Sequence, residues 1–278
     1  MIPASFEYER PGSLDEALGL LAEHGDEAKV LAGGHSLLPL MKLRFATPAV
    51  VIDIGRLDSL SYVRDEGDHV AVGALTSHRD VARAELLRRH VPLLAHAAGQ
   101  VGDPQVRQRG TLGGSLAHGD PASDLPAVAL ALGATFVADG PQGRRELAGD
   151  TFFEGFLETA LTPEELLVEV RVPKVDGVGW SFQKLTKRAQ DWAIVGAAVL
   201  HGNGRTGVGL INMGPTPLRA LDVESALRAG ASASDAAALA DVGTEPTADL
   251  NADEAFRRHL VRVLVRRGIE EAAAGTSG

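Results

Sequence analysis

Two glycine-rich segments, Ala32-Gly33-Gly34-His35-Ser36 and Gly110-Thr111-Leu112-Gly113-Gly114-Ser115, decide how this chain is interpreted. Each joins a glycine pair to hydroxyl side chains, and the first follows a short predicted strand over residues 29–32. Glycine has no side chain and allows a positive φ angle, so successive backbone N–H groups can turn toward an anion. Two such segments, distant in sequence, could enclose one diphosphate from both sides. The alternative is that each is only a tight structural turn, and the glycine pattern alone leaves both interpretations open.

Short strands and helices flank these segments in an irregular order. The predicted strands of this part cover residues 29–32, 49–54, 70–75, 134–138 and 166–172. A helix is predicted to start after Ser13, because Glu16 three residues later is typical of a capping box, and to end at Gly25. Further helices are predicted over residues 81–98, with a break at Pro92, and over residues 127–133. A doubly wound parallel sheet needs regular alternation of strands and helices, so we predict an α+β fold instead.

The last third of the chain has a different pattern, which predicts a second, smaller domain. Residues 174–179 are the predicted linker. Predicted strands over residues 180–185, 193–201 and 207–213 form an antiparallel meander, and predicted helices cover residues 222–228, 234–242 and 253–273. Phe256, Leu260, Val263 and Leu264 are predicted to share the apolar face of the last helix.

One segment of the second part matches the dinucleotide-binding pattern G-x-G-x-x-G. This is Gly202-Asn203-Gly204-Arg205-Thr206-Gly207. The pattern binds a pyrophosphate only where it opens a helix, and here the residues that follow are typical of a strand. We therefore interpret the segment as a hairpin turn.

Composition excludes several classes of function. The chain has 278 residues, no cysteine and a formal net charge of -10. Without cysteine it cannot hold an iron–sulfur cluster, a zinc–thiolate site or a thiol nucleophile, so another chain must supply such chemistry. The negative charge opposes binding to nucleic acids or anionic membranes. No signal-peptide pattern is visible, and the longest uncharged apolar stretch, residues 125–138, is too short to span a membrane. We expect a cytoplasmic protein.

A histidine and two carboxylates lie close together in the segment His118-Gly119-Asp120-Pro121-Ala122-Ser123-Asp124. A metal site is one interpretation, but a catalytic metal usually has three protein ligands and no second cluster stands out. In a second interpretation, Asp124 accepts a hydrogen bond from a ribityl or ribose hydroxyl of a ligand. In a third, Ser123 or Asp124 caps the helix that follows. The last two are compatible.

His35 is a candidate nucleophile or covalent flavin anchor, although a loop histidine is more commonly a polar turn residue, which is the interpretation we favour. The sequence contains no Walker A, H-E-x-x-H or G-x-S-x-G pattern. Kinase and hydrolase functions therefore have no support from the known motifs.

At the glycine segments the chain resembles a known family, the medium, FAD-binding subunits of molybdenum hydroxylases of the carbon monoxide dehydrogenase and xanthine dehydrogenase type. The first flavin loop of that family is similar to Ala32-Gly33-Gly34-His35-Ser36-Leu37-Leu38-Pro39 with Met41-Lys42-Leu43-Arg44, and the second to Gln105-Val106-Arg107 leading into Thr111-Leu112-Gly113-Gly114-Ser115. The similarity continues at residues 120–126, 256–260 and 266–267. Two departures are Ser115, where many relatives have asparagine, and Leu112, which replaces a common isoleucine.

The resemblance implies the fold and its division. Residues 1–176 would form an FAD-binding domain of the vanillyl-alcohol-oxidase (PCMH) type, with subdomains of about residues 1–57 and 58–176. Residues 177–278 would form a small α+β C-terminal domain with an antiparallel sheet and helices. FAD would lie between the domains without a covalent bond, so His35 is expected to be unlinked.

The resemblance also implies which residues contact FAD. They are Val30, Leu31, Ala32, Gly33, Gly34, His35, Ser36, Leu37, Thr111, Gly113, Gly114, Ser115, Asp120, Asp124, Leu167, Lys184 and Trp192. The two glycine segments would hold the diphosphate and Asp124 the polar chain of the flavin. Leu167, Lys184 and Trp192 would lie near the isoalloxazine, although a tryptophan beside a sheet is also commonly a core residue. No catalytic residue and no metal ligand is expected.

The function implied is electron transfer. A large subunit with a molybdenum cofactor would oxidise the substrate, a small [2Fe-2S] subunit would carry electrons, and FAD in this chain would pass them to NAD, a quinone or oxygen. The resemblance suggests a dimer of heterotrimers. Two alternatives remain open, namely a stand-alone flavin oxidase, for which His118 and His201 are weak acid–base candidates, and a non-catalytic nucleotide-binding module.

Overall fold

The computed structural model describes residues 2–275. Its strands are β1 (Glu7–Glu9), β2 (Ala28–Leu31), β3 (Val50–Asp53), β4 (Val63–Asp65), β5 (His69–Gly73), β6 (Thr135–Gly140), β7 (Gly143–Ala148), β8 (Phe153–Gly155), β9 (Glu158–Thr159), β10 (Leu166–Pro173), β11 (Gly179–Leu185), β12 (Val195–Gly202), β13 (Arg205–Ile211) and β14 (Leu218–Arg219). Its helices are α1 (Leu14–His24), α2 (Leu37–Leu43), α3 (His78–Arg83), α4 (Glu85–His90), α5 (Pro92–Gln100), α6 (Pro104–Arg109), α7 (Leu112–His118), α8 (Asp124–Leu132), α9 (Leu221–Arg228), α10 (Ala233–Ala237) and α11 (Glu254–Gly275).

The strands form separate sheets, which confirms the predicted α+β class. The first sheet has the order β1-β3-β2 and is parallel, and the second has the order β4-β5-β10-β6-β7 and is antiparallel. The third sheet, β11-β12-β13-β14, is antiparallel and includes the predicted meander. Strands β8 and β9 form a small hairpin of their own.

Local sequence explains the start of the chain. The Ser13 hydroxyl accepts a hydrogen bond from the Glu16 N–H, and a Glu16 carboxylate oxygen accepts one from the Gly12 N–H at 2.7 Å. These two bonds satisfy backbone donors at the start of α1, as predicted. Gly25 ends the helix with a φ angle of 51°. Ala17 and Leu21 are buried in the cluster that includes residues of β3, so α1 covers the first sheet.

Two of the predicted helices differ from the structure, one in its boundaries and one in its buried face. Residues 81–98 form parts of three helices rather than one or two, because the chain also breaks at Ala84, in addition to Pro92 at the start of α5. The buried face of α11 includes Val261, Leu264, Val265 and Ile269. The prediction of its apolar face was right for Leu264 and for Leu260, which packs against the same core, and wrong for Phe256. Phe256 is exposed on that helix, and its neighbour Arg257 is buried.

The predicted linker is a packed turn. Val175 and Val178 are buried in the core of the second sheet, and the Val175 N–H donates to the His90 carbonyl. On the next strand, β11, Trp180 and Phe182 pack against the same core. The third sheet is therefore joined to the preceding part of the chain by apolar contacts.

The glycines of the false dinucleotide pattern have a different role. Asn203 and Gly204, with φ angles of 48° and 76°, form the β12–β13 hairpin turn, as predicted. A Cβ atom on Gly207 or Gly209 would lie 1.9 Å from a carbonyl oxygen of α8. These glycines let β13 pack directly on the backbone of α8, all of whose residues are buried.

Candidate functional site

A cavity of about 950 Å³ lies between the sheets and is lined by both glycine segments. Of the residues predicted to contact a cofactor, those on its wall are Val30, Ala32, Gly33, Gly34, His35, Ser36, Leu37, Thr111, Gly113, Gly114, Ser115, Asp124, Leu167, Lys184 and Trp192. A volume of this size is typical of small-molecule and cofactor sites. The fold therefore brings nearly all of the predicted contact residues together.

The two glycine segments meet in space. A Cβ atom on Gly33 would lie 2.2 Å from the Arg109 carbonyl oxygen and 2.9 Å from the Gly110 Cα atom. No side chain fits there, because backbone atoms of the second segment occupy the position. The close approach of two segments more than 70 residues apart depends on glycine at position 33.

The first glycine segment has free donors. Gly34 has a φ angle of 78°, and the chain then enters α2. Within the part of the chain that the structure describes, the backbone N–H groups of residues 33–36 have no hydrogen-bond partner. Unpaired backbone donors in a loop with a positive φ angle form a concavity that suits an anion. This segment fits the predicted diphosphate contact.

The second glycine segment has a different structure. Thr111 caps α7 by accepting a hydrogen bond from the Gly114 N–H, so both glycines of the pair lie in the first turn of a helix. The Leu112 N–H donates to Thr76 and the Gly113 N–H to Ala74, both at backbone carbonyls. The segment is therefore the start of a helix rather than the predicted turn, and its contact with a diphosphate stays a prediction. Gly113 is required instead by packing, since its Cβ atom would lie 2.5 Å from that of Ala74.

Asp124 and Lys184 form a buried ion pair on the cavity wall. Their side chains are 6% and 11% exposed, and Nζ lies 2.8 Å from Oδ2. The other carboxylate oxygen of Asp124, Oδ1, is buried and has no partner among the described residues. Burial raises the pKa of Asp124, and Lys184 opposes that rise. A hydroxyl group of a ligand could donate to Oδ1, and such a bond would favour the charged carboxylate.

The structure distinguishes between the three interpretations of residues 118–124. The described residues contain no group of three or more side chains that could hold a metal ion. Ser123 is the N-cap of α8 but makes no side-chain capping bond. Asp120 accepts a hydrogen bond from the Ala122 N–H at 2.8 Å and closes the turn before the helix. The ligand interpretation of Asp124 is thus the one that the geometry favours.

Two of the predicted contact residues do not line the cavity. Asp120 is engaged in the turn just described. Leu31 is the last residue of β2, and its Cδ1 atom would lie 3.3 Å from a Cβ atom on Gly34, so its side chain packs beside the first glycine segment. Neither residue belongs to the cavity wall, although both lie within two positions of residues that do.

The residues predicted near the isoalloxazine approach from three elements, with Lys184 on β11. Leu167 lies on β10, where the pairing with β6 shifts between Leu167 and Glu169. Such bulges redirect side chains and are common beside functional sites. Trp192 lies on the loop between β11 and β12, and it is 59% exposed, which excludes the interpretation of a core residue.

Two parts of the cavity wall were not predicted from the sequence. The hairpin of β8 and β9 contributes Leu157, whose φ angle of 59° is unusual for leucine, with Glu158 and Thr159. His78 also lines the cavity, is 4% exposed, and packs under Gly110. Burial, with the charges of His35 and Arg107, lowers the pKa of His78 to about 4. Its Nδ1 atom has no partner in the described region, and no motif marked this residue.

These features are those of a protein that binds an anionic nucleotide cofactor. Residues 4–175 match the family model of the FAD binding domain in molybdopterin dehydrogenase, and residues 180–272 match that of the CO dehydrogenase flavoprotein C-terminal domain. The chain therefore belongs to the FAD-binding medium subunits of molybdenum hydroxylases, a family of oxidoreductase subunits, and its cofactor is FAD. The resemblance inferred from the glycine segments is confirmed.

Individual relatives share nearly the full length of the chain. The carbon monoxide dehydrogenase medium chain of Hydrogenophaga pseudoflava is 43% identical over an alignment of 284 residues that covers 99% of this chain and 99% of that one. The caffeine dehydrogenase subunit beta of Pseudomonas sp. is 43% identical over 226 residues, covering 79% of this chain and 77% of that one. A solved structure of carbon monoxide dehydrogenase from Hydrogenophaga pseudoflava matches with a TM-score of 0.96 and 44% identity, covering 99% of each chain.

The structure also bears on membrane association. Among residues 2–275, no helix combines the length and apolar character that crossing a membrane requires.

Proposed function

We propose that this chain is the electron-transfer flavoprotein subunit of a molybdenum hydroxylase complex, and that FAD binds without a covalent bond in the cavity described above. The observation that carries the proposal is the meeting of the two glycine segments at one wall, where the amides of residues 33–36 lack partners. The buried Oδ1 atom of Asp124, which also lacks a partner in the described part of the chain, supports a cofactor with hydroxyl groups.

Different residues of the cavity wall would contact different parts of FAD. The amides of residues 33–36 would bind the pyrophosphate, Asp124 would accept a hydrogen bond from the ribityl chain, and Lys184 would keep that carboxylate charged. Leu167 and Trp192 would exclude water from the flavin ring. FAD, when bound, supplies the chemistry of accepting and donating electrons. No acid or base from the protein is needed for that role.

We propose two partner subunits because this chain lacks the ligands for an iron–sulfur cluster. It contains no cysteine, so [2Fe-2S] clusters have to lie in a small partner subunit, and the molybdenum cofactor in a large one. Two relatives that are each 43% identical to this chain belong to enzymes with different substrates in their names, a carbon monoxide dehydrogenase and a caffeine dehydrogenase. The substrate is thus proposed to be selected by the large subunit. We also propose a dimer of heterotrimers and a domain division between residues 176 and 177.

Reconstitution with FAD tests the cofactor site. The purified chain should show the visible absorption of flavin after FAD is added, and denaturant should release the flavin intact if no covalent bond exists. Gly33→Ala should bind FAD more than about tenfold more weakly, because its Cβ atom would lie 2.2 Å from the Arg109 carbonyl oxygen. Gly19→Ala, at a position with nothing within 4 Å, is the matched control. Equal affinity of the two variants would contradict the proposed site.

Electron transfer is tested in the whole complex. Co-expression with its partner subunits should yield a complex whose flavin is reduced when substrate of the large subunit is added. The isolated flavin-loaded chain should not be reduced by the same substrates. Reduction of the isolated chain would identify a stand-alone flavin oxidase instead.

A further inference from the structure

Asn212 connects two loops of the cavity wall at their bases. It follows β13, and its φ angle is 61°, in the left-handed region. Its backbone N–H donates to the Pro121 carbonyl at 2.8 Å. Its side-chain Nδ2 atom donates to the carbonyls of Ala193 at 2.9 Å and Ile194 at 3.3 Å. One residue outside the cavity wall therefore binds two chain segments that the sequence separates.

Both segments lead directly into the cavity wall. Pro121 precedes residues 122–124, which include Asp124, and Ala193 and Ile194 follow residues 190–192, which include Trp192. The carboxylate and the indole thus sit on loops whose bases share the same asparagine. A change in either bond to Asn212 would alter their separation.

A second side chain anchors the same loop. Arg257 of α11 is 1% exposed and donates from Nη1 to the Ile194 carbonyl, while its Nη2 atom pairs with the Asp249 carboxylate at 2.7 Å. The Ile194 N–H donates to the Leu185 carbonyl at 2.8 Å and closes the loop. The base of the loop that carries Trp192 is therefore also held by a side chain of α11, although residues 187–190 are exposed.

We propose that Asn212 is a positioning residue for the cofactor site. Its two Nδ2 hydrogen bonds, with Arg257 in support, set the distance between the Trp192 loop and the segment that carries Asp124. This inference rests on the proposed function for its effect on FAD. Its structural part, the joining of the two loops, holds with or without the cofactor.

The test compares three variants. Asn212→Gly keeps the left-handed backbone and the bond to Pro121 but removes both side-chain donors. Asn212→Asp keeps the shape of the side chain and removes the donors as well. Asn203→Gly is the matched control, because Asn203 is also left-handed, with a φ angle of 48°, and donates to a backbone carbonyl, that of Gly177, away from the cavity.

Hydrogen exchange of the flavin-free chain tests the structural part. The amides of residues 186–194 should exchange at least about tenfold faster in both Asn212 variants than in wild type, and at the wild-type rate in Asn203→Gly. Unchanged exchange in the Asn212 variants would overturn the inference. A wild-type exchange rate in Asn212→Asp, with faster exchange only in Asn212→Gly, would also overturn the inference, because packing rather than hydrogen bonding would then hold the loops.

FAD titration tests the functional part. The dissociation constant should rise about tenfold in both Asn212 variants, and the visible circular dichroism of the bound flavin should change, while Asn203→Gly behaves as wild type. Normal FAD binding in the Asn212 variants would overturn the positioning role. If wild type itself bound no FAD, the proposed function would fail, and the exchange experiment would still decide whether Asn212 joins the loops.

Discussion

The two glycine segments contain the same Gly-Gly pair beside hydroxyl side chains, but they differ in what their backbones do. In the first, Gly34 takes a positive φ angle and the amides of residues 33–36 have no partner in the described structure. In the second, Gly113 and Gly114 lie in a helix, and the amides of both are already hydrogen-bonded. The first segment therefore keeps backbone donors free, whereas the second uses the amides of its glycine pair within the protein. A glycine pair therefore predicts that another part of the chain packs closely against the backbone. Whether the backbone amides are already hydrogen-bonded then decides whether they are available to a ligand.

The largest expected effect concerns His78, which lies under the second segment, whereas His35 in the first is exposed. The pKa of folded His78 is about 4, against an ordinary value of 6.5, so between these values the unfolded chain binds a proton that the folded chain does not. The free energy of unfolding should therefore fall as the pH is lowered through this window, by about 3 kcal/mol at pH 4. Urea unfolding at several pH values measures this.

His78→Phe removes the titrating group, and the pH dependence of its unfolding should be weaker by that amount. His35→Phe should weaken the pH dependence only slightly, because the charge of His35 is a secondary cause, after burial, of the lowered pKa of His78. If His78→Phe and wild type show the same slope, the neutral buried histidine does not contribute.

Gly113→Ala should have the next largest effect. The added methyl group would lie 2.5 Å from the Cβ atom and 2.7 Å from the carbonyl oxygen of Ala74, so the backbone at Gly113 or Ala74 must move. We expect the free energy of unfolding to fall by about 2 to 3 kcal/mol. Gly114→Ala meets a movable Thr111 hydroxyl and should change it by less than about 1 kcal/mol. Similar losses in the two variants would show that packing does not distinguish these glycines.

Gly34→Ala tests the backbone of the first segment. An alanine at a φ angle of 78° is strained, and we expect a loss of about 1 to 2 kcal/mol in the free energy of unfolding. Gly34→Asn should lose less, because asparagine tolerates the left-handed region better. Thermal unfolding of the flavin-free variants measures both, and a larger loss for asparagine would point to a steric rather than a conformational cause.

The smallest effect is expected at the hydroxyl residues. Thr111 caps α7 through the Gly114 N–H, so Thr111→Ala should lower the free energy of unfolding by about 1 kcal/mol. Ser36 stands at the N-cap position of α2 without a capping bond, so Ser36→Ala should change it by less than about 0.5 kcal/mol. Equal effects would mean that the capping bond of Thr111 adds no stability in solution.

Local sequence patterns predicted the loop at the first glycine segment and most of the helices and strands. The capping box at Ser13 and the left-handed turn at Asn203 and Gly204 were predicted because their hydrogen bonds or φ angles depend on residues within four positions. The sequence suggested that the two segments could enclose one ligand, but it did not predict the contact between Gly33 and Arg109, since a glycine shows that space is short but not what fills it. The helix at Leu112 was missed because a glycine pair disfavours helix and packing against Ala74 outweighs that preference.

By itself, the sequence determined the α+β class, the family and the absence of any site that needs cysteine, because these depend on residue types and local order. Only the tertiary structure decided that Lys184 pairs with Asp124, that His78 is buried without a partner for Nδ1 among the described residues, and that Asn212 joins two loops of the cavity. The physical reason is that a polar group takes its partner from whatever the fold places within about 3 Å, and for these residues that partner, or its absence, is set by chain segments distant in sequence.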